Sequence, residues 1–425
     1  MKVNRNQAPE IKSALQLNYI LPEERIGKTG NRYFLFSGSD AATLRIEAIF
    51  AGTAYPEFNR AYTYAIDLLM RGTKNKTAHQ IHSLTDLYGA FISTESTKDT
   101  ASCMLFTLKK FLPKALPLFL ELLEESIYPE NEIELYRKSE LNQLQINKQK
   151  TDFMANRGMQ QLVFGAEHPY GRLLDESDHA AINREEIWNC YTNRLKGGGV
   201  LYFISGNISD AEFAEIDAIL SHSAISQLKS LSTSIFEKPE TELKEGHFVM
   251  PQSLQNSIRV SRLMQINSPA EMAIASLSNV VLGGYFGSRL MSNLREKNGY
   301  TYGVGSGYQT LRFTHMWNIR TEVGSDMSND ALREIFSEIA KLQEEKVGEE
   351  ELLRVKRYVS GNLLNKFENI HSLPVALKPI LMRGENADYY QKMAAHIHEV
   401  KAEDILLFAQ NNWNKNELYT YIAGK

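Results

Sequence analysis

The chemistry this chain could carry starts with its histidines, its two cysteines and one glycine-rich turn. His79 and His82 stand three apart, with Asp86 four further on. On a helix that spacing shares one face and would offer a metal two or three points. The same pattern also describes a solvated helix face, and that is how we read it. His396-Ile397-His398-Glu399 is one ligand short of a helical zinc motif, because Val400 sits where a histidine is needed. His396 and His398 are two apart and point away from each other. Gly283, Gly284 and Gly287 open a segment as a phosphate-cradling turn does. No Lys-Ser or Lys-Thr follows at P-loop spacing and no G-x-G-x-x-G occurs, so nucleotide binding is set aside. Cys103 and Cys190 read as two reduced thiols.

The totals narrow the classes further. At 425 residues the chain is too long for one compact core and implies two domains. Hydrophobic residues make up 43% and charged residues 23%, which suits a globular protein. The formal net charge is −4 with both signs mixed along the chain, which excludes the concentrated basic footprint of a nucleic-acid binder. No stretch reaches the roughly 18 consecutive apolar residues of a membrane span. The first twenty residues lack the apolar core of a secretory signal, which makes a cytoplasmic location the expectation.

The elements that must position any site come next. Residues 32–38 and 43–50 read as strands, and a helix follows from about Asn59 to Met70. Thr77 is placed to cap a second helix that runs to Tyr88 and stops at Gly89. Residues 90–97 and 100–108 alternate as paired strands. Long helical patterns fill 110–165, then helix 184–195, strand 199–205 and helix 209–221. Residues 222–246 are polar and Ser-rich with Pro239 and no apolar period, which marks a linker. Beyond it the order repeats: strand 257–265, helices 270–282 and 287–297, strands 300–309 and 315–323, helices over 328–413 and a strand near 417–422. The sequence therefore predicts two homologous α+β domains, 1–221 and 247–425. Each should be a mainly antiparallel sheet with helices on one face.

The most specific stretch is Leu282–Ser306, LGGYFGSRLMSNLREKNGYTYGVGS. With Leu69-Met70-Arg71-Gly72-Thr73, His168-Pro169-Tyr170-Gly171 and Ile204-Ser205-Gly206-Asn207-Ile208, in that order along nearly the whole chain, it resembles the insulinase/pitrilysin family of zinc metallopeptidases, which includes the mitochondrial processing peptidases. In active members the helix before Arg-Gly-Thr carries His-x-x-Glu-His. The two histidines bind zinc and the glutamate polarises the zinc-bound water. Here those positions are Thr63-Tyr64-Ala65-Ile66-Asp67. Thr63 and Asp67 stand for the histidines and Ile66 for the general base. The third ligand would fall between Glu140 and Gln145, and Glu140 reads as a helix-surface carboxylate.

Arg295 and Tyr302 match the Arg/Tyr pair of the family's second-domain signature. The resemblance implies that this pair faces a zinc site across a chamber and stabilises the oxyanion of peptide hydrolysis. A chain of this length with the pair and without the zinc motif resembles the non-catalytic subunit of a heterodimeric zinc peptidase. Zinc is then expected in a homologous partner that keeps His-x-x-Glu-His, with none in this chain, and unfolded peptide is the implied substrate. A homodimer, or a structural or peptide-binding protein of the same fold, are the alternatives.

Overall fold

The computed structural model describes residues 17–38, 40–54, 58–225 and 243–425. The first half runs β1 (Glu23–Ile26), β2 (Arg32–Ser37), β3 (Thr43–Ala51), α1 (Tyr62–Asp67), α2 (Ala78–Leu87), β4 (Phe91–Ser96), β5 (Thr100–Leu108), α3 (Leu112–Glu125), α4 (Glu130–Lys148), α5 (Thr151–Phe164), α6 (Glu176–Ala181), α7 (Arg184–Cys190), β6 (Leu201–Gly206) and α8 (Asp210–Leu220). The second half runs β7 (Glu245–Val249), β8 (Gln255–Met264), α9 (Pro269–Asn279), a wide-turn helix Met291–Lys297, β9 (Val304–Thr310), β10 (His315–Gly324), α10 (Ser328–Glu344), α11 (Glu349–Lys366), α12 (Ser372–Met382), α13 (Tyr389–Glu399), α14 (Ala402–Asn412) and β11 (Tyr419–Gly424). No described helix is long and apolar enough to cross a membrane.

The duplication inferred from element order is explicit in the sheets. The first has the order β1-β2-β6-β3-β5-β4 and the second β7-β11-β8-β10-β9. From β2 and from β7 onward the two match strand for strand. In each, the first pair is parallel and every later pair antiparallel. The fold is α+β, as the clustering of strands and helices implies. One face of each sheet buries its alternate side chains under its own helices. Leu44, Ile46, Ala48, Cys103 and Leu105 meet α1 and α3 in the first half. Ile258, Val260, Trp317 and Ile319 meet α9 and α10 in the second.

The opposite faces are covered reciprocally. Helix α5 leaves the first half and lies on β7, β8 and β11. It comes so close that a Cβ at Gly158 would overlap the Tyr421 ring. Helix α12 occupies the matching place in the second half and lies on the first sheet, where Leu373 and Leu377 pack on Phe36, Ile49 and Phe203. It also brings Lys378 to the buried Glu47 at 2.9 Å. His371, just before it, bridges the hydroxyls of Thr43 and Ser205, each at 2.9 Å.

Three boundaries differ from the sequence reading. Strands β1 and β7 were not foreseen, being four and five residues long and mostly exposed, without a clear alternation. Most of the proposed linker, residues 226–242, lies outside the described residues, and its last two positions, Glu245 and Gly246, begin β7. Residues 300–303 precede β9 rather than forming its start.

Candidate functional site

The helix that resembles the zinc-binding segment is short. Helix α1 covers six residues and passes into a single tight turn, Leu69–Arg71, before Gly72. Ile66 is fully buried in the first core. Asp67 has both carboxylate oxygens occupied: Thr94 donates to one at 2.9 Å and Tyr136 to the other at 2.8 Å. Burial pushes the Asp67 carboxyl above the usual range against those two hydrogen bonds. Thr63 is half-buried. Between them Tyr64 turns to His179, with 2.8 Å between its hydroxyl and Nδ1, and meets the Tyr136 ring edge-on at 4.8 Å. Desolvation raises the Tyr64 phenol to about 12.

Glu140 differs from the sequence reading. It is half-buried rather than a solvated surface carboxylate. Burial and then the Asp67 charge raise its carboxyl above the ordinary value. Two carboxyls, two phenols and an imidazole thus meet at this place. Among the described residues no three His, Cys, Asp or Glu side chains converge as a metal site requires. His79, His82 and Asp86 are exposed on α2. His396 is paired with Glu399 on its own helix at 2.9 Å.

The other pair sits at an open tip. Gly89 and Gly299 end the equivalent helices of the two halves, with φ of 52° and 65°. That left-handed conformation is easy only for glycine and closes each helix. After Gly89, β4 begins two residues on. After Gly299, β9 begins five residues on. The three extra residues carry Tyr302 out to 88% exposure. Arg295 lies four residues before Gly299. Its counterpart, Thr85, is buried and bonds back to the Ile81 carbonyl at 2.8 Å. The Arg295 guanidinium lies 4.8 Å from the centre of the Tyr302 ring and 5.0 Å from that of Phe286. Each exposed cation–ring contact is worth about 0.5–1 kcal/mol, which favours one pose without locking it.

Neighbouring residues of the signature do structural work. Arg289 makes a two-pronged ion pair with Glu351 of α11, at 2.9 and 3.1 Å. Asn293 donates to Glu334 and Glu338 of α10, at 3.0 and 2.6 Å. These contacts fix the helix from which Arg295 projects. Among the described residues no carboxylate lies within ion-pair distance of Arg295. Arg295 and Tyr302 line a cleft of about 1140 Å³ together with Phe286, Asp152, Arg259 and Arg320. Phe286 and Arg320 were not singled out from sequence. Phe286 lies in the same signature and could have been suspected as a ring beside a cation. Arg320 is one charge in an alternating strand and carried no signal.

The segment His168–Gly171 is a joint. The Tyr170 amide donates to His168 Nδ1 at 3.1 Å. The Tyr170 hydroxyl reaches Asp99, whose other oxygen accepts from the Arg312 backbone at 3.1 Å. Tyr170 packs with Leu311, Met316 and Tyr419 of the second half. Cys103 in β5 and Cys190 at the end of α7 are buried free thiols.

Residues 181–359 match the family described as "Peptidase M16 inactive domain", a span that includes Arg295 and Tyr302. An uncharacterized zinc protease of Rickettsia felis is 24% identical over 312 residues, covering 71% of this chain and 73% of that one. The uncharacterized zinc protease YmxG of Bacillus subtilis is 21% identical over 319 residues, 75% of this chain and 76% of its own. In fold, a peptidase M16 inactive domain from Pseudomonas fluorescens superposes with a TM-score of 0.85 at 22% identity, over 96% of this chain and 98% of that one. A protease from Helicobacter pylori gives 0.85 at 14%, over 96% and 100%. The match over residues 181–359, the zinc-protease relatives aligned along most of the chain and the shared duplicated fold agree on one likeness: the chain is similar to the insulinase/pitrilysin family, peptidase M16, and has its fold.

Proposed function

We propose that this chain is the non-catalytic subunit of a two-chain zinc peptidase, and that it supplies Arg295 and Tyr302 to a site whose zinc is held by a homologous partner. The observation that carries the reading is the contrast within one molecule. At Thr63, Ile66 and Asp67 a buried isoleucine and a doubly hydrogen-bonded carboxylate occupy the places of the ligands and base. An isoleucine cannot move a proton, and one aspartate cannot hold a catalytic zinc. At the other end, a guanidinium and a phenol sit together on the rim of a cleft, outside any ion pair with the described residues. A guanidinium and a phenol brought to a scissile carbonyl would stabilise the oxyanion that forms as water adds.

The chain alone is expected to bind extended peptide and not to hydrolyse it. Its two domains, 1–221 and 247–425, would frame one wall of the chamber, and a cytoplasmic setting fits the two free thiols. A second reading, a structural or peptide-holding subunit with no part in turnover, draws on the likeness to a chain of complex III2 from Candida albicans, TM-score 0.74 at 12% identity. Co-expression with a similar-sized chain of the same host that keeps His-x-x-Glu-His separates the two. The first reading expects a stable pair that cleaves unfolded peptide, while neither chain alone does so. Full activity of the partner by itself would leave the second.

A further inference from the structure

The face of β9 that looks into the cleft has no side chains for most of its length. Val304, Ser306 and Tyr308 turn toward the helices: Val304 is buried in the second core, and the hydroxyls of Ser306 and Tyr308 donate to the carbonyls of Asn279 and Ala275 at 3.3 and 3.2 Å. Strand alternation then puts Gly305 and Gly307 on the opposite face, and Gly303 stands immediately before the strand. A Cβ at Gly303 or Gly307 would meet nothing within 4 Å, and one at Gly305 would only reach the Gly283 carbonyl at 4.0 Å. The core does not need glycine at these places. What three glycines leave is a bare backbone strip along the edge of the sheet, running away from Tyr302.

The strip leads to charge. In the cross-strand register Gly305 is opposite Arg320, and Arg320 is opposite Arg259. Two like charges directly opposite one another are unfavourable unless an anion serves both. Asp152 of α5 pairs with Arg259, which is buried. Arg320 is exposed, and among the described residues no carboxylate lies within ion-pair distance of it. Glu322, two residues along the same strand face, is exposed and receives a long 3.5 Å hydrogen bond from Thr151. The charged side chains lining the cleft are Arg259, Arg295 and Arg320 against Asp152 and Glu322, three positive and two negative.

We infer that the cleft binds an extended peptide laid along the glycine strip, with an acidic side chain of that peptide placed on Arg320. A peptide backbone is thin enough to lie against a strip without Cβ atoms, and a carboxylate matches the planar fork of a guanidinium. Arg320 then sets which peptides are held, while Arg295 acts on the carbonyl. This selectivity rests on the proposed peptide-binding role, but not on catalysis by Arg295.

The test measures binding by the full chain. Three dye-labelled, end-capped peptides identical except for a central Glu, Gln or Lys are titrated by fluorescence anisotropy. The Glu peptide should bind about tenfold tighter than the Gln peptide, as expected of a charge-assisted guanidinium–carboxylate contact. The Lys peptide should bind weakest. Arg320→Glu should reverse the order. Gly305→Val should weaken all three about equally, and with so much space around the Cβ the fold should persist, as a circular dichroism melt would confirm. Equal affinities for the three peptides, or a Glu preference that survives Arg320→Glu, would overturn the inference while leaving peptide binding in place. Absence of binding by every peptide would overturn this inference and peptide capture by the isolated chain. A failure of the catalytic reading would show in the partner's turnover and not in this binding order.

Discussion

Helix α1 of the first half and the Arg295–Tyr302 tip of the second, the two places where the sequence resembles parts of a zinc-peptidase site, are built in opposite ways. At α1, Ile66 is sealed in the core and Asp67 is shared between Thr94 and Tyr136. At the tip, three extra residues after the helix-ending glycine push Tyr302 into solvent, and Arg295 rests on two rings. One region has been absorbed into folding and the other kept apart from it. Substitutions should therefore separate cleanly: stability effects at α1, functional effects at the tip.

The largest stability effect is expected from Ile66→Glu. It would place a carboxylate in a fully buried apolar site. A loss of roughly 3 kcal/mol or more should appear in a urea melt. A variant as stable as the wild type would mean that α1 is less closed than described and would break the comparison.

The joint between the halves gives an effect of similar size that depends on pH. His315 at the start of β10 is buried, and Arg383 at the end of α12 donates to its Nε2 at 2.7 Å. Burial, then the Arg383 charge, lowers the imidazole to about 4. Its folded value lies below its unfolded one, so the unfolded chain takes up the proton first. This contribution is complete above about pH 6.5 and is lost as the pH falls toward about 4, a change of roughly 3 kcal/mol. His315→Gln keeps an acceptor for Arg383 and should remove that portion of the acid sensitivity. Urea midpoints of both proteins at pH 7 and pH 5 check it, and an unchanged difference between the two pH values would contradict it.

A smaller effect is expected at Asp67. Its raised carboxyl means that the folded chain holds the proton more tightly than the unfolded one. Stability from this group is present at low pH and is lost as pH rises past the unfolded carboxylate value of about 4. Asp67→Asn should therefore be neutral or stabilising at pH 7, by up to about 1 kcal/mol, and lose that advantage in acid. A marked destabilisation at pH 7 would show that the ionised carboxylate is needed. The smallest effect belongs to the tip: Arg295→Ala and Tyr302→Phe should each change stability by no more than about 0.5 kcal/mol, as exposed residues do.

Much of this is legible in the sequence. Thr77 caps α2 through a reciprocal hydrogen-bond box with Gln80, and Gly89 ends it, because capping is local chemistry written in a few residues. Alternation gave the long strands, whose register needs a buried face. Strands β1 and β7 were invisible because short, mostly exposed strands carry no such pattern. The signature located Arg295 and Tyr302 but put Tyr302 at a strand start. The Gly-Tyr-Thr-Tyr-Gly run fits a strand by composition, and only the sheet register shows pairing to begin at Val304. The closure around Asp67 was out of reach for a different reason. Tyr136, Thr94 and His179 come from separate elements, and nothing in a linear spacing says that they meet. The reciprocal crossing of α5 and α12 was hidden likewise, since an amphipathic helix does not state which sheet it covers.

The central claim is that this chain lends the tip to another chain's chemistry. The direct measurement is the kcat of the reconstituted pair with Arg295→Ala in this chain and the partner unaltered, after gel filtration has confirmed assembly. An oxyanion contact strengthens mainly in the transition state, so kcat should fall about a hundredfold, near 3 kcal/mol, with little change in KM. Tyr302→Phe should act in the same direction and less than additively with Arg295→Ala. An assembled pair that still cleaves peptide at the wild-type rate with both substitutions in place would contradict the account and leave the chain a scaffold.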